Sequence, residues 1–208
     1  MTISELFSGP VECRIVLVRH GPSSHVNPAW MNAREFREWR AAYEAAGIRE
    51  GEVAPASLAA LAVQADMIVA SDSLRTVETA RMLANGREVI TSPLLRELAL
   101  QGPELRGVSL PFHSWALAVG SRILWLKLRN QYPAAADAAR IASAEQWIGT
   151  LAPQHQCVPV VTHASIRRQL WRRLLQSGWR PEPGRRTMAP WSAWICAHDR
   201  NAESAAGA

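Results

Sequence analysis

Hydrophobic residues in this chain fall into short unbroken runs separated by longer stretches with helical spacing. The runs over 13–18, 66–70, 88–91 and 158–162 are too short for helices and read as buried strands, with a fifth strand over 191–197. Helical spacing predicts helices over 34–46, 55–64, 73–84, 113–130, 135–151 and 164–177. Strands that alternate with helices make the fold class α/β: a three-layer α/β/α sandwich around a mostly parallel central sheet. The pattern extends over 11–198 without a linker or an internal repeat and is read as a single domain, with 1–10 and 199–208 as flexible termini. Pro181 to Gly184 reads as a loop at the rim of any site.

The most apolar window, Trp115 to Leu128, is interrupted by Gly120, Ser121, Arg122 and Lys127. It reads as a core-facing amphipathic helix rather than a membrane span, so no membrane partner is expected. No basic start followed by an apolar stretch marks a secretory leader. The three cysteines, Cys13, Cys157 and Cys196, form no Cys-x-x-Cys pair and are odd in number. They read as structural thiols, and a reducing, cytoplasmic location is the expectation.

With 48% hydrophobic and 20% charged residues in 208, the composition is that of an ordinary globular enzyme. The net charge of +5 comes almost wholly from arginine, since Lys127 is the only lysine. Much of it lies over 167–186, which favours anionic partners. Arg167, Arg168, Arg172 and Arg173 interleave with Ile166, Leu170, Trp171 and Leu174 as the solvated and buried sides of one helix would. Nucleic acid is therefore not the expected partner.

The candidate chemistry sits where strands end. Arg19-His20-Gly21 follows the first strand, and in open α/β sheets ligands bind beyond the carboxyl ends of strands. The second strand runs into Ser71, Arg75 and Thr79, four residues apart on one helix face, with Arg75 near the positive end of the helix dipole. The fourth ends at Thr162-His163, and Glu97 stands in a loop between. An imidazole can act as a nucleophile, guanidinium forks bind phosphate oxygens bidentately, and a carboxyl group can pass a proton. His25, His113, His155 and His198 show no metal-ligand spacing, and no metal site is expected.

In this order, Arg19-His20-Gly21, the Ser71/Arg75/Thr79 segment, Glu97 and Thr162-His163 resemble the histidine phosphatase superfamily, also called phosphoglycerate mutase-like. The resemblance implies a metal-independent phosphatase with no cofactor. His20 would be the nucleophile that forms a phosphohistidine, Arg19, Arg75 and His163 would bind phosphate, and Glu97 would be the proton donor, with Glu104 and Asp72 as alternative acids. Ser23 falls where the family places a phosphate-touching hydroxyl. The usual stretch between the first two motifs is replaced by a helix-like segment, Asn32 to Gly47, with Phe36, Trp39, Arg40 and Tyr43 at helical spacing. A phosphorylated small molecule is the expected substrate, with a phosphoprotein as the alternative partner. Phosphoglycerate mutase-type transfer, a protein phosphohistidine phosphatase and a non-catalytic phosphate-binding module are the competing readings, and the sequence does not reach substrate identity or oligomeric state.

Overall fold

The computed structural model of this protein describes residues 12–99, 102, 103, 105 and 107–199. Its central strand is β1, Glu12–Arg19, whose residues Ile15 to Val18 are wholly buried. Period-two alternation splits that strand between two cores. Ile15 and Leu17 face α5 (Ala135–Leu151) and α6 (Ala164–Gln176) through Ile141, Ile148, Ile166 and Leu170. Val16 and Val18 face α2 (Ala56–Val63) and α3 (Leu74–Ala84) through Leu58, Ala62, Ala80 and Leu83. Helices therefore cover both faces of the sheet, and the fold is the expected α/β sandwich.

The sheet runs β4-β3-β6-β1-β8-β7. Strands β3 (Ile68–Ser71), β4 (Val89–Ser92) and β6 (Cys157–Thr162) lie parallel to the first, and β8 (Ala193–Asp199) is antiparallel to it. Each predicted helix and long strand is present. Three short strands escaped the pattern: β2 (Trp30–Asn32), β5 (Ser109–Pro111) and β7 (Arg180–Pro181), which are too brief for periodicity to register.

Two expectations need correction. The segment from Pro181 is no site rim: Pro181 pairs with Cys196, which lies opposite Ile15, well before the end of the first strand. The chain returns to that end only at residues 187–192. Helix α4, Phe112–Leu128, is not core-facing along its length either. Trp115 is buried, but Leu117, Leu124, Trp125 and Leu128 are exposed. The reason is that its apolar residues surround the helix, while only one side packs, against α1 (Ala33–Ala45).

Helix α1 begins with a capping box in which Asn32 accepts from the backbone of Arg34 and Glu35 and the Glu35 carboxylate accepts from the backbone of Asn32. With β2, β5 and α4 it builds a small separate core of Met31, Phe36 and Trp115. This cap is joined to the strand ends through Arg75, whose Nη1 donates to the carbonyls of Tyr43 at 3.0 Å and Glu44 at 3.1 Å.

Candidate active site

Strand register decides which side chains meet. Arg19 pairs with Thr162, and Val161 lies level with both Val18 and Ala70. The next residues of two adjacent parallel strands, His20 and His163, thus emerge at one height, and Ser71 ends the third strand one residue below them. The backbone N–H of His20 donates to the Thr162 carbonyl at 3.0 Å, and the two imidazole rings stand edge to face with centroids 5.3 Å apart. Both histidines are buried, at 2% and 1% exposure.

Hydrogen bonds settle both tautomers. Nδ1 of His20 lies 2.6 Å from the Gly21 carbonyl, which can only accept, so Nδ1 carries the proton and Nε2 keeps a lone pair. Burial, reinforced by the charges of Arg75, Arg19 and Arg167, outweighs that hydrogen bond and lowers the His20 pKa to about 3. His20 is neutral at any ordinary pH. Nδ1 of His163 lies 3.0 Å from Nη2 of Arg75, a group that can only donate. Its proton therefore sits on Nε2, which donates to Ser71 Oγ at 3.2 Å. Burial and the neighbouring arginines hold His163 well below the usual histidine range, so it is a neutral donor here.

Three arginines ring His20. Arg75 and Arg167 are wholly buried. Arg75 meets the Glu44 carboxylate at 2.8 Å and stands 4.7 Å over the Tyr43 ring. Arg167 donates from Nη1 to the Ser192 carbonyl at 2.6 Å and hydroxyl at 2.9 Å, and from Nη2 to the Thr187 carbonyl at 2.9 Å, while it stacks on Trp194. No carboxylate pairs with it, and burial lowers its pKa to about 10. Arg19 donates to the Met188 carbonyl. In each of the three, Nε is buried and lacks an acceptor. Buried unpaired donors are costly, and three converging around one imidazole form a site suited to an anion.

Arg167 corrects the sequence reading, which placed it on a solvated helix face. The exposed arginines of α6 are Arg168, Arg172 and Arg173, whereas 167, 170, 171 and 174 form the buried stripe. A strict count of that stripe would have found it, one turn after His163.

Glu97 lies at the start of α6. Its Oε1 accepts from the backbone of Leu98 at 2.9 Å and Ile166 at 3.1 Å, and both oxygens accept from Ser165 at 3.2 Å. Those donors favour the carboxylate, but burial outweighs them and Glu44 adds repulsion, so the Glu97 pKa is raised. Its loop is fixed by Thr162 Oγ1 donating to Leu95, and by Arg140, whose Nη1 donates to the carbonyls of Leu94 and Arg96. Arg140 thus braces the loop that carries Glu97, and no motif or spacing singles it out. Of the alternative acids, Asp72 is committed to Arg96 through a two-pronged ion pair at 2.5 and 2.7 Å, and Glu104 lies outside the described residues.

Two hydroxyls serve the scaffold. Ser23 Oγ accepts from the backbone of His25 at 3.2 Å, a bond that leaves its O–H able to donate. Thr79 Oγ1 donates to the Arg75 carbonyl at 2.7 Å and accepts from the Gly21 backbone at 3.0 Å, which ties α3 to the turn that carries His20. Glycine is required at 21 because a Cβ there would lie 2.8 Å from the Trp191 ring.

Among the described residues, no group of three or more histidines, cysteines, aspartates or glutamates could hold a metal ion. The three cysteines are buried and form no disulfide with one another, and burial raises the Cys157 thiol to about 12, as suits inert core residues.

The family model for the histidine phosphatase superfamily, branch 1, matches residues 15–201. The chain belongs to that superfamily. No curated protein matches it. Among solved structures, a mycobacterial glucosyl-3-phosphoglycerate phosphatase is 20% identical, with TM-score 0.53 over 88% of this chain and 89% of that one. A mycobacterial hydrolase is 21% identical, with TM-score 0.51 over 89% and 82%. A Mycobacterium tuberculosis open reading frame product is 16% identical, with TM-score 0.51 over 90% and 92%. At these identities the likeness is one of fold.

Proposed function

We propose that this member of the superfamily is a metal-independent phosphatase that hydrolyses a phosphomonoester through a phosphohistidine on His20. The observation that carries the reading is the Nδ1–H to Gly21 carbonyl bond, which leaves a neutral imidazole with its Nε2 lone pair free in the field of Arg19, Arg75 and Arg167. In the first half-reaction Nε2 attacks phosphorus, the P–O ester bond breaks as the P–N bond forms, and the alcohol leaves with a proton from Glu97. In the second, water attacks phosphorus, the P–N bond breaks, and Glu97 takes the proton back as inorganic phosphate forms.

Each residue's part follows from its surroundings. Arg19, Arg75 and Arg167 supply fixed positive charge around the phosphoryl oxygens, where preorganised electrostatics do most of the work. His163 adds a neutral N–H. Burial equips Glu97 to hold a proton toward neutral pH, as a donor that must reverse its role requires.

The test is hydrolysis of nitrophenyl phosphate between about pH 5 and 8, with and without EDTA. Activity unaffected by the chelator and abolished in His20→Ala is expected. A folded protein that binds inorganic phosphate but turns over nothing would instead indicate a binding module.

A further inference from the structure

Beside Glu97 and Ser165 opens a cavity of about 730 Å³, large enough for an organic group well beyond the phosphate itself. Its walls come mainly from α1, in the segment that replaces the usual family stretch, and from α4. Phe36 stacks on Trp115 with centroids 4.4 Å apart, Trp39 stacks on Tyr43 at 5.4 Å, and Phe112 meets Trp39 edge to face at 5.1 Å. The rings are thus held by one another before any ligand arrives.

The indoles and the carboxylates of this wall are already engaged. The Trp39 indole N–H donates to the Val26 carbonyl at 3.1 Å and that of Trp115 to the Met31 carbonyl at 2.9 Å, so both rings offer only carbon and π surface. Glu44 is paired with Arg75 at 2.8 Å and with Arg40 at 3.6 Å, and Glu97 with three backbone N–H groups. A leaving alcohol that carries several hydroxyls would lose its water there and find few partners, whereas an apolar one would lose nothing. Glu44 and Glu97 stand on the side of Arg75, and rings make up most of the remaining wall.

We propose that the alcohol this site releases is apolar and ring-sized, so that the substrates are phosphomonoesters of aromatic or compact hydrocarbon alcohols rather than of sugars or other polyols. This rests on the phosphomonoesterase reading above. The leaving oxygen would face Glu97, and the hydrocarbon would lie against Trp39 and Phe112.

Binding to His20→Ala, which cannot turn over, separates the two ideas. Calorimetry with phenethyl phosphate and glycerol phosphate compares two alkyl esters that place equal demand on the phosphate pocket. Phenethyl phosphate is expected to bind at least about tenfold tighter, and Trp39→Ala or Phe112→Ala in the same background should reduce that ratio to about threefold or less. Two variants are used so that misfolding of either leaves the other informative. Equal binding, tighter binding of the glycerol ester, or a ratio indifferent to both substitutions would overturn the proposal. Failure of the His20-intact protein to hydrolyse any monoester would count against the phosphatase reading alone.

Discussion

Arg75 Nη2 and His163 Nδ1 come within 3.0 Å although 88 positions separate them in the chain. The contact joins the helix after β3 to the end of β6 and fixes the His163 tautomer. It also sets the charge of a buried guanidinium directly beside that ring. Arg75→Lys keeps a charge but loses the fork, the Tyr43 and Glu44 carbonyl contacts and the tautomer control. Steady-state kinetics should show kcat/KM reduced by about a hundredfold or more, about 2.7 kcal/mol of transition-state stabilisation. Near wild-type rates would remove Arg75 from the phosphate site.

Glu97 should matter in proportion to the leaving group's need for a proton. Nitrophenolate leaves without help, while an alkoxide does not. Glu97→Gln is expected to cost alkyl phosphates about a hundredfold more than nitrophenyl phosphate. A loss of equal size on both substrates would mean that another group is the donor.

Both histidines also shape stability against pH. The folded His20 pKa is about 3 and its ordinary value 6.5, so between those pH values the unfolded chain binds a proton that the native protein refuses. Stability therefore falls as pH drops through that window, by about 1.4 kcal/mol per pH unit for each such histidine once below the ordinary value. Urea unfolding between about pH 7 and 5 should show a shallower pH dependence for His20→Asn than for the parent, by about one proton. Equal slopes would indicate that His20 titrates normally in the folded state.

Crowding at Gly21 gives a prediction about position rather than charge. Trp191, whose backbone N–H donates toward the Arg19 carbonyl at 3.2 Å and the His20 carbonyl at 3.3 Å, leaves no room for a methyl group there. Gly21→Ala should lose about 1–3 kcal/mol in urea unfolding and most of its activity. Pairing it with Trp191→Leu should recover about 1 kcal/mol relative to additivity, as the ring that blocks the methyl is gone. Strict additivity would place the cost elsewhere.

The layout of the candidate site was legible in the sequence because it follows from topology. His20, Ser71 and His163 directly follow or end apolar runs, and parallel pairing in register brings such ends to within one residue of the same height. Arg75 was legible from helical spacing. Arg167 was not, because an arginine between Ile166 and Arg168 looks solvated until the buried stripe of α6 is counted. The protonation state of His163 also escaped, since it depends on how deep the ring lies and on which guanidinium it touches. Nor could the sequence reveal the aromatic cavity: Phe36, Trp39 and Tyr43 announced a helix face, but its partners Phe112 and Trp115 come from a distant helix through the brief β2–β5 pairing.

The central claim is that Nε2 of His20 takes the phosphoryl group. Brief mixing with a monoester, an alkaline quench and peptide mass spectrometry test it most directly. The account predicts phosphate on His20, stable in base and lost in acid, and absent from His20→Ala. Phosphate on a serine, threonine or cysteine, or turnover by His20→Ala at the parent rate, would contradict it.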